Sequence, residues 1–423
     1  MRRIFCFMAI CFFSVAGHGQ LFFKGALKAN REKMYRNLVQ QTINKNLTYT
    51  LSDSTEENWQ AAFNAMEVLR YRNLWIDGRI TIAAEQMHRQ SISFQRSALE
   101  LLYASYPDTF YQPVKLLLMQ TPDPKIFAMS ANYILQSKHA EADANFLAVK
   151  AQQLSAIYPD NAILQQLLFS IAQRKNPLHV PSLAYLLEKN YLKGHTLVFS
   201  FQRKNRNYPG IVMVRDPLGN FIMDSSLGSY FSVPQLARSI NNLPGYLSNG
   251  NTPEGIFRMK GYDVSRASFI GPTVNVQLSM PFERSPKHFY ADSSITDTTW
   301  NINYYKNLLP KEWTVYYPIY QSYYAGKAGR TEIIIHGTTV NPAYYVSQSY
   351  YPLTPTLGCL TSKEIWNEIN GQRQESDQQR LIQAMIRAGG SNGYAIVINI
   401  DDEQRPVALY DIIPFIEKAR AER

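Results

Sequence analysis

The hydrophobic period of the chain changes near residues 174–181, and this change limits the fold to two dissimilar halves. Before it, apolar residues recur at helical spacing, as in the stripe of Trp59, Phe63 and Met66. After it, short β-branched and aromatic runs stand between glycine, proline, asparagine and aspartate, which is typical of strands. We therefore predict an α+β chain, with an all-α helical domain over residues 27–176 and a mostly β domain over residues 180–415.

The first half contains the tripeptide "YPD" at residues 106–108 and again at 158–160, each time between two helical stripes. This spacing indicates stacked antiparallel helix pairs, loosely similar to HEAT-type repeats. No strict period is visible, so we favour a helical bundle without a site of its own over a peptide-binding solenoid.

In the second half we predict two kinds of element. Helices are expected near Lys363–Ile369 and Gln378–Ala388. Strands are expected at residues 195–203, 209–216, 331–337 and 393–400.

The first 19 residues have the pattern of a secretory signal peptide, "MRRIFCFMAICFFSVAGHG". Two arginines are followed by an apolar run and then by small residues. The run from Ile4 to Ala16 is shorter than the roughly 20 residues that a membrane-spanning helix needs. We therefore expect an exported protein, periplasmic or associated with the cell envelope, with no membrane span after cleavage.

Two of the three cysteines, Cys6 and Cys11, lie in this leader, so the exported chain would keep a single thiol, Cys359. A single cysteine is a buried spectator, an intermolecular partner or a reactive thiol. Its surroundings, with Pro355 and Gly358 and without apolar periodicity, favour the reactive thiol.

The formal net charge of +10 favours polyanionic partners. Nucleic acid is not expected as a partner of an exported protein, and no run of five or more Lys and Arg residues is present. A carboxylate-rich extracytoplasmic polymer fits the charge better. Ordinary surface basicity explains it equally well.

A histidine, His336, ends the apolar strand "TEIIIHG", and Cys359 follows in "TLGCLT". An imidazole that takes the thiol proton converts the thiol into the nucleophilic thiolate. Gly358 allows the backbone to approach a substrate closely, and the amides around Cys359 are expected to form an oxyanion hole. The pattern predicts nucleophilic catalysis if the loop between the two residues folds back.

These residues resemble the catalytic domain of the L,D-transpeptidase, or YkuD-like, family, over roughly residues 190–410. That family has a strand ending in His-Gly, a loop, and Ser/Thr-His-Gly-Cys. The stretch "NGNTPEGIFRM", residues 249–259, is also similar to the Thr-Pro-x-Gly-x-Phe turn of the family, with matches at Thr252, Pro253, Gly255 and Phe257.

The resemblance implies roles for several positions. Cys359 matches the nucleophile, His336 the base, and Gly337 the residue whose carbonyl orients the imidazole. Thr356 and Gly358 match the small polar and glycine positions before the nucleophile. Two positions depart from the family pattern and are candidates for substrate contacts: Leu357 replaces a histidine, and Thr361 replaces an arginine or asparagine.

The implied reaction is acyl transfer on peptidoglycan stem peptides through a thioester on Cys359. An amine acceptor gives an L,D-transpeptidase cross-link, and water gives L,D-carboxypeptidase trimming. No metal or organic cofactor is required. Arg258, Lys260 and Arg330 are candidates for holding substrate carboxylates, and solvated charges at strand ends are the alternative for each.

The departures at Leu357 and Thr361 leave a second hypothesis open. The chain is then a catalytically degenerate protein that binds or organises the cell wall. The sequence does not indicate the oligomeric state.

Overall fold

The computed structural model describes residues 20–176 and 178–421, and the predicted leader, residues 1–19, lies outside the described residues. The regular elements from Lys24 to Leu187, called here the helical half, are helices. Beyond them strands alternate with shorter helices and 3₁₀ turns, which confirms the prediction of an α+β chain. The helices of the helical half are α1 (Lys28–Asn37), α2 (Asn46–Thr48), α3 (Glu56–Leu69), α4 (Leu74–Gln86), α5 (Ile92–Ser105), α6 (Tyr111–Gln120), α7 (Pro124–Gln136), α8 (Ala140–Ile157), α9 (Ala162–Gln173) and α10 (Ala184–Leu187), with a π-helical stretch at Leu38–Lys45 and 3₁₀ turns at Lys24–Ala26 and Met87–Arg89.

Local sequence explains where helix α7 begins. The Asp123 carboxylate accepts hydrogen bonds from the amides of Lys125 and Ile126 at 2.9 and 2.8 Å, and Pro124 stands at the first turn of α7. A side-chain acceptor at this position satisfies amides that have no partner within the helix. None of the helices in the described part of the chain has the length and apolarity that crossing a lipid bilayer requires.

The predicted stripe of α3 is buried: Trp59, Phe63 and Met66 belong to the core that joins the helices. This core also includes Leu243 and Tyr246, which come from a segment between strands. That segment, residues 241–252, therefore packs against the helical half. The amide Nδ2 of Asn132 donates to the Tyr246 hydroxyl at 2.8 Å and strengthens the contact.

The strands from residue 196 onward form a closed eight-stranded sheet in the order β1-β12-β6-β7-β8-β9-β5-β2. The β1/β12 and β8/β9 pairs are parallel, and the other pairs are antiparallel. Two short hairpins, β3/β4 and β10/β11, lie outside the sheet. The strands are β1 (Thr196–Arg203), β2 (Gly210–Arg215), β3 (Met223–Asp224), β4 (Ser229–Tyr230), β5 (Val233–Leu236), β6 (Gly255–Val264), β7 (Val274–Ser279), β8 (Ile334–His336), β9 (Leu360–Ser362), β10 (Glu364–Trp366), β11 (Arg373–Ser376) and β12 (Gly393–Asp401).

Both faces of the sheet are covered by apolar side chains. In β1, Leu197 and Phe199 belong to one cluster, and Val198 belongs to another on the opposite face. This follows from the alternation of side chains along a strand. The further helices are α11 (Pro286–Tyr290), α12 (Ile302–Lys306), α13 (Gln321–Lys327), α14 (Asp377–Arg387) and α15 (Ile413–Ala421), with 3₁₀ turns at Lys311–Trp313, Tyr317–Tyr320, Pro342–Tyr345 and Leu409–Asp411.

Helix α14, which confirms the helix predicted near Gln378–Ala388, contacts β2, β5, β7 and β9. The helix packs its apolar face against these strands, while Gln383 and Ile386 on its other face are exposed. Its Leu381 and Met385 pack in the same cluster as Ile335 of β8 and Leu360 of β9. The helix thereby supports the two strands that carry the predicted reactive pair.

The helix predicted near Lys363–Ile369 is wrong. Glu364–Trp366 is strand β10, and the chain then reverses through a turn in which the Asn367 amide donates to the Gln372 carbonyl at 2.8 Å. Ile365 and Trp366 are residue types that favour strands. The predicted strand at 331–337 is shorter than expected, since only Ile334–His336 pairs as β8.

Candidate functional site

Strands β8 and β9 bring the two predicted catalytic residues together. Ile335 is paired with Leu360 and His336 with Thr361, so Cys359 lies beside Ile334, two residues along the strand from His336. The side chains of Ile335 and Leu360 lie on the face of the sheet that packs against α14. Because side chains alternate along strands, those of His336 and Cys359 project from the opposite, outer face.

The thiol of Cys359 has a hydrogen-bond partner other than the imidazole. Its side chain is partly exposed, and Sγ donates to the carbonyl oxygen of Glu332 at 3.6 Å. Within residues 20–176 and 178–421, no hydrogen bond joins this thiol to His336. Transfer of the thiol proton to the imidazole therefore requires Sγ to turn away from Glu332.

His336 is held in the form that a base requires. Its Nδ1 lies against the carbonyl oxygen of Gly337, and a carbonyl only accepts hydrogen bonds. Nδ1 therefore carries the proton, and Nε2 keeps its lone pair. The side chain is 1% exposed, and this burial lowers the pKa of His336 to about 4, so the imidazole is neutral near pH 7.

A buried carboxylate stands behind the imidazole. Glu364 accepts hydrogen bonds from the Thr338 amide at 3.1 Å and from the hydroxyls of Thr273 and Ser376, both at 2.6 Å. A Cβ atom on Gly337 would lie 2.3 Å from this carboxylate. Glu364 therefore fixes the backbone whose carbonyl holds His336.

The turn before the nucleophile is fixed by two threonines. The Thr252 hydroxyl donates to the Gly358 carbonyl at 2.9 Å, which connects the Thr-Pro-Glu-Gly turn to this site. The amides of Gly358 and Cys359 donate to the Thr356 hydroxyl at 3.3 and 3.0 Å. The two amides expected to form an oxyanion hole are thus already engaged by Thr356.

Arg330 lies beneath the same turn and is 5% exposed. It donates hydrogen bonds to the carbonyls of Gly245, Gly250 and Asn251 in the 241–252 segment. Burial lowers the pKa of Arg330 to about 10, so the guanidinium keeps its charge near neutral pH.

Burial also raises the pKa of the Cys359 thiol. The backbone of Ile334 and the positive charge of Arg330 oppose this effect, whereas the Glu332 carboxylate adds to it. The pKa remains above the ordinary value, so the resting group is a thiol near neutral pH.

The remaining predicted residues have different surroundings. Leu357 is 58% exposed beside the nucleophile. Thr361 is buried, and its hydroxyl donates to the Thr354 carbonyl at 2.9 Å. On β6, Arg258 is buried and donates to the Asn392 side chain at 2.7 Å, and Lys260 is exposed.

Two residues of the site, Glu332 and Glu364, were not predicted from the sequence. Both lie close to the predicted residues in the chain, but neither belongs to a recognisable pattern. Their roles depend on the pairing of β8 with β9 and on the β10/β11 hairpin. Among the described residues, no group of three or more His, Cys, Asp and Glu side chains is arranged to hold a metal ion.

Comparison with family models, curated proteins and solved structures finds no significant match to this chain. The geometry of the site and the sequence motifs are therefore what indicate a function for this chain.

Proposed function

We propose that the chain is an exported cysteine acyltransferase similar to L,D-transpeptidases, with Cys359 as nucleophile and His336 as base. One observation carries the proposal. The two residues lie on the same outer face of neighbouring parallel strands, and the contact of His336 Nδ1 with the Gly337 carbonyl leaves the lone pair on Nε2.

The proposed reaction begins when the Cys359 proton passes to Nε2 of His336. The sulfur then bonds to the carbonyl carbon of a peptide, the C–N bond to the terminal residue breaks, and the leaving amine takes the proton from His336. A thioester on Cys359 remains. An amine that displaces it gives a cross-link, and water gives a trimmed peptide.

Peptidoglycan stem peptides are the proposed substrates. The resemblance of "IIIHGT", "TLGCLT" and the Thr-Pro-Glu-Gly turn to L,D-transpeptidases supports this choice, as do the predicted leader and the positive net charge. The peptide carbonyl that precedes a terminal D-alanine is the expected point of attack.

The test uses the protein without residues 1–19 and a disaccharide tetrapeptide. Intact-protein mass spectrometry should detect an acyl adduct that peptide mapping places on Cys359, together with released D-alanine. Cys359→Ser should form no thioester, and His336→Asn should form it far more slowly. A folded wild-type protein that yields neither adduct nor D-alanine contradicts the proposal. Chromatography of the products then separates dimers from trimmed monomers.

A second candidate function is binding of the cell wall without catalysis. It is favoured by the hydrogen bond of the thiol to Glu332, by the raised pKa of Cys359, and by the exposed Leu357 where the family has a histidine. This candidate predicts saturable sedimentation with peptidoglycan that is the same in wild type and Cys359→Ala. This candidate also predicts that Cys359→Ala fully restores function to a strain that lacks the protein. A variant that behaves like the deletion excludes the candidate.

A further inference from the structure

We propose that the guanidinium of Arg330 is the electrostatic partner of the Cys359 sulfur and favours its thiolate form during attack. The inference rests on the proposed role of Cys359 as nucleophile. Arg330 lies outside the His-Gly and Gly-Cys motifs and outside the Thr-Pro-Glu-Gly turn. Its side chain is buried, so it is not placed to bind a polymer.

Among the described residues, the charge of Arg330 has no carboxylate partner. Across residues 20–176 and 178–421, no carboxylate lies within ion-pair distance of this guanidinium. Its hydrogen bonds go to backbone carbonyls, at 2.6 Å for Gly250 and 2.7 Å for Asn251. Carbonyl dipoles satisfy the N–H groups but do not neutralise a full charge, and a buried charge is normally paired.

The guanidinium of Arg330 lies close to the turn that presents the nucleophile. A Cβ atom on Gly358 would lie 2.0 Å from Nη2 of Arg330 and 2.3 Å from the Gly250 carbonyl oxygen. Gly358 also has φ +111°, a conformation that favours glycine. The guanidinium therefore occupies the space directly against the residue that precedes the nucleophile, and its charge favours the thiolate of Cys359.

The backbone amides next to the nucleophile, which are another source of positive potential, are engaged by Thr356. The amides of Gly358 and Cys359 both donate to the Thr356 hydroxyl. Nη2 of Arg330 carries two N–H groups, of which one donates to Gly250. Because Arg330 itself is buried, water and salt screen its charge little, and the charge acts strongly on a neighbouring ion.

Glu332 provides a matched control of opposite sign. Its carboxylate is on an exposed residue, and its negative charge disfavours the Cys359 thiolate. Glu332→Gln removes that charge and leaves the backbone carbonyl that accepts the thiol hydrogen bond. The two charges predict opposite shifts of one measured quantity.

The experiment measures the rate of Cys359 alkylation by iodoacetamide between pH 7 and 11.5, followed by intact-protein mass. In this reaction the thiolate sulfur bonds to the methylene carbon and iodide leaves. Arg330→Gln should move the midpoint of the rate profile upward by about one pH unit or more, as expected for loss of a close opposite charge. Glu332→Gln should move the midpoint downward.

Far-UV circular dichroism identifies the variants that fold. If loss of the carbonyl contacts unfolds Arg330→Gln, Arg330→citrulline removes the charge and retains N–H donors. An unchanged or lowered midpoint in a folded Arg330 variant overturns the proposal. Since alkylation needs no peptidoglycan, this readout is separate from the test of the proposed function. A protein that forms no acyl adduct can still show both shifts.

Discussion

The hydroxyl of Thr252 donates a 2.9 Å hydrogen bond to the carbonyl oxygen of Gly358, 106 residues further along the chain. Both groups are buried. The contact joins the start of β6 to the turn that presents Cys359, so the position of the nucleophile depends on a strand that is not its neighbour in the sheet.

Replacing Thr252 by valine should lower the free energy of unfolding by about 1–3 kcal/mol, because the shape is kept while a buried carbonyl loses its donor. Urea unfolding at pH 7 measures this change. Thr252→Ser keeps the hydroxyl and should retain the hydrogen bond, at the smaller cost of one methyl group. Equal losses in the two variants would show that the hydroxyl contributes nothing.

Part of this site could be predicted from the sequence because its signals are local. A strand ending in His336 and a glycine before Cys359 are visible in a few letters each. The helix near Gln378–Ala388 has apolar spacing that is independent of the rest of the fold. These features do not depend on which strands become neighbours.

The rest of the site depends on long-range pairing. Arg330 donates to carbonyls of the 241–252 segment, which itself packs against the helical half. Strand β9 has three residues, too few for an alternating pattern. Strand β7 did carry a signal, since Val274, Val276 and Leu278 alternate with polar residues.

Gly358→Ala should destabilise the protein more than an ordinary substitution of a glycine with positive φ. The left-handed region costs roughly 1–2 kcal/mol for an alanine. At Gly358 the new methyl group would also meet Arg330 and the Gly250 backbone, which should add about 1–3 kcal/mol.

Gly390→Ala is the matched control. Gly390 has φ +94°, and a Cβ atom there would meet nothing within 4 Å. Urea unfolding of the two variants side by side isolates the contact from the backbone strain. A difference close to zero would mean that the turn moves away from Arg330 without cost.

The loop between His336 and Cys359 is anchored on the helical half. Tyr345 is buried, and its hydroxyl donates to the Val68 carbonyl at 2.9 Å. Tyr345→Phe leaves that carbonyl without its donor, so we expect a loss of stability of about 0.5–1.5 kcal/mol and faster proteolysis within residues 337–358. Tyr351→Phe changes an exposed ring in the same loop and should do neither. If both variants are cleaved at the wild-type rate, the anchor does not hold the loop.

His336 should make the stability of the protein depend on pH. Burial lowers the pKa of its imidazole from 6.5 to about 4. Between these values the unfolded chain takes up a proton that the folded protein does not, so stability is lost as the pH falls from about 6.5 towards 4. The loss from this group should reach roughly 3 kcal/mol. Urea midpoints measured from pH 7 to pH 4 test this expectation.

The matched comparison is His336→Asn, whose amide can donate to the Gly337 carbonyl but does not titrate. Groups that titrate in both proteins cancel in the difference between them. The stability advantage of the wild type over this variant should therefore shrink as the pH falls. Cys359→Ser keeps the imidazole and should follow the wild-type curve. Parallel curves for wild type and His336→Asn would mean that His336 can be protonated in the folded protein without cost, and burial would then not lower the pKa of its imidazole.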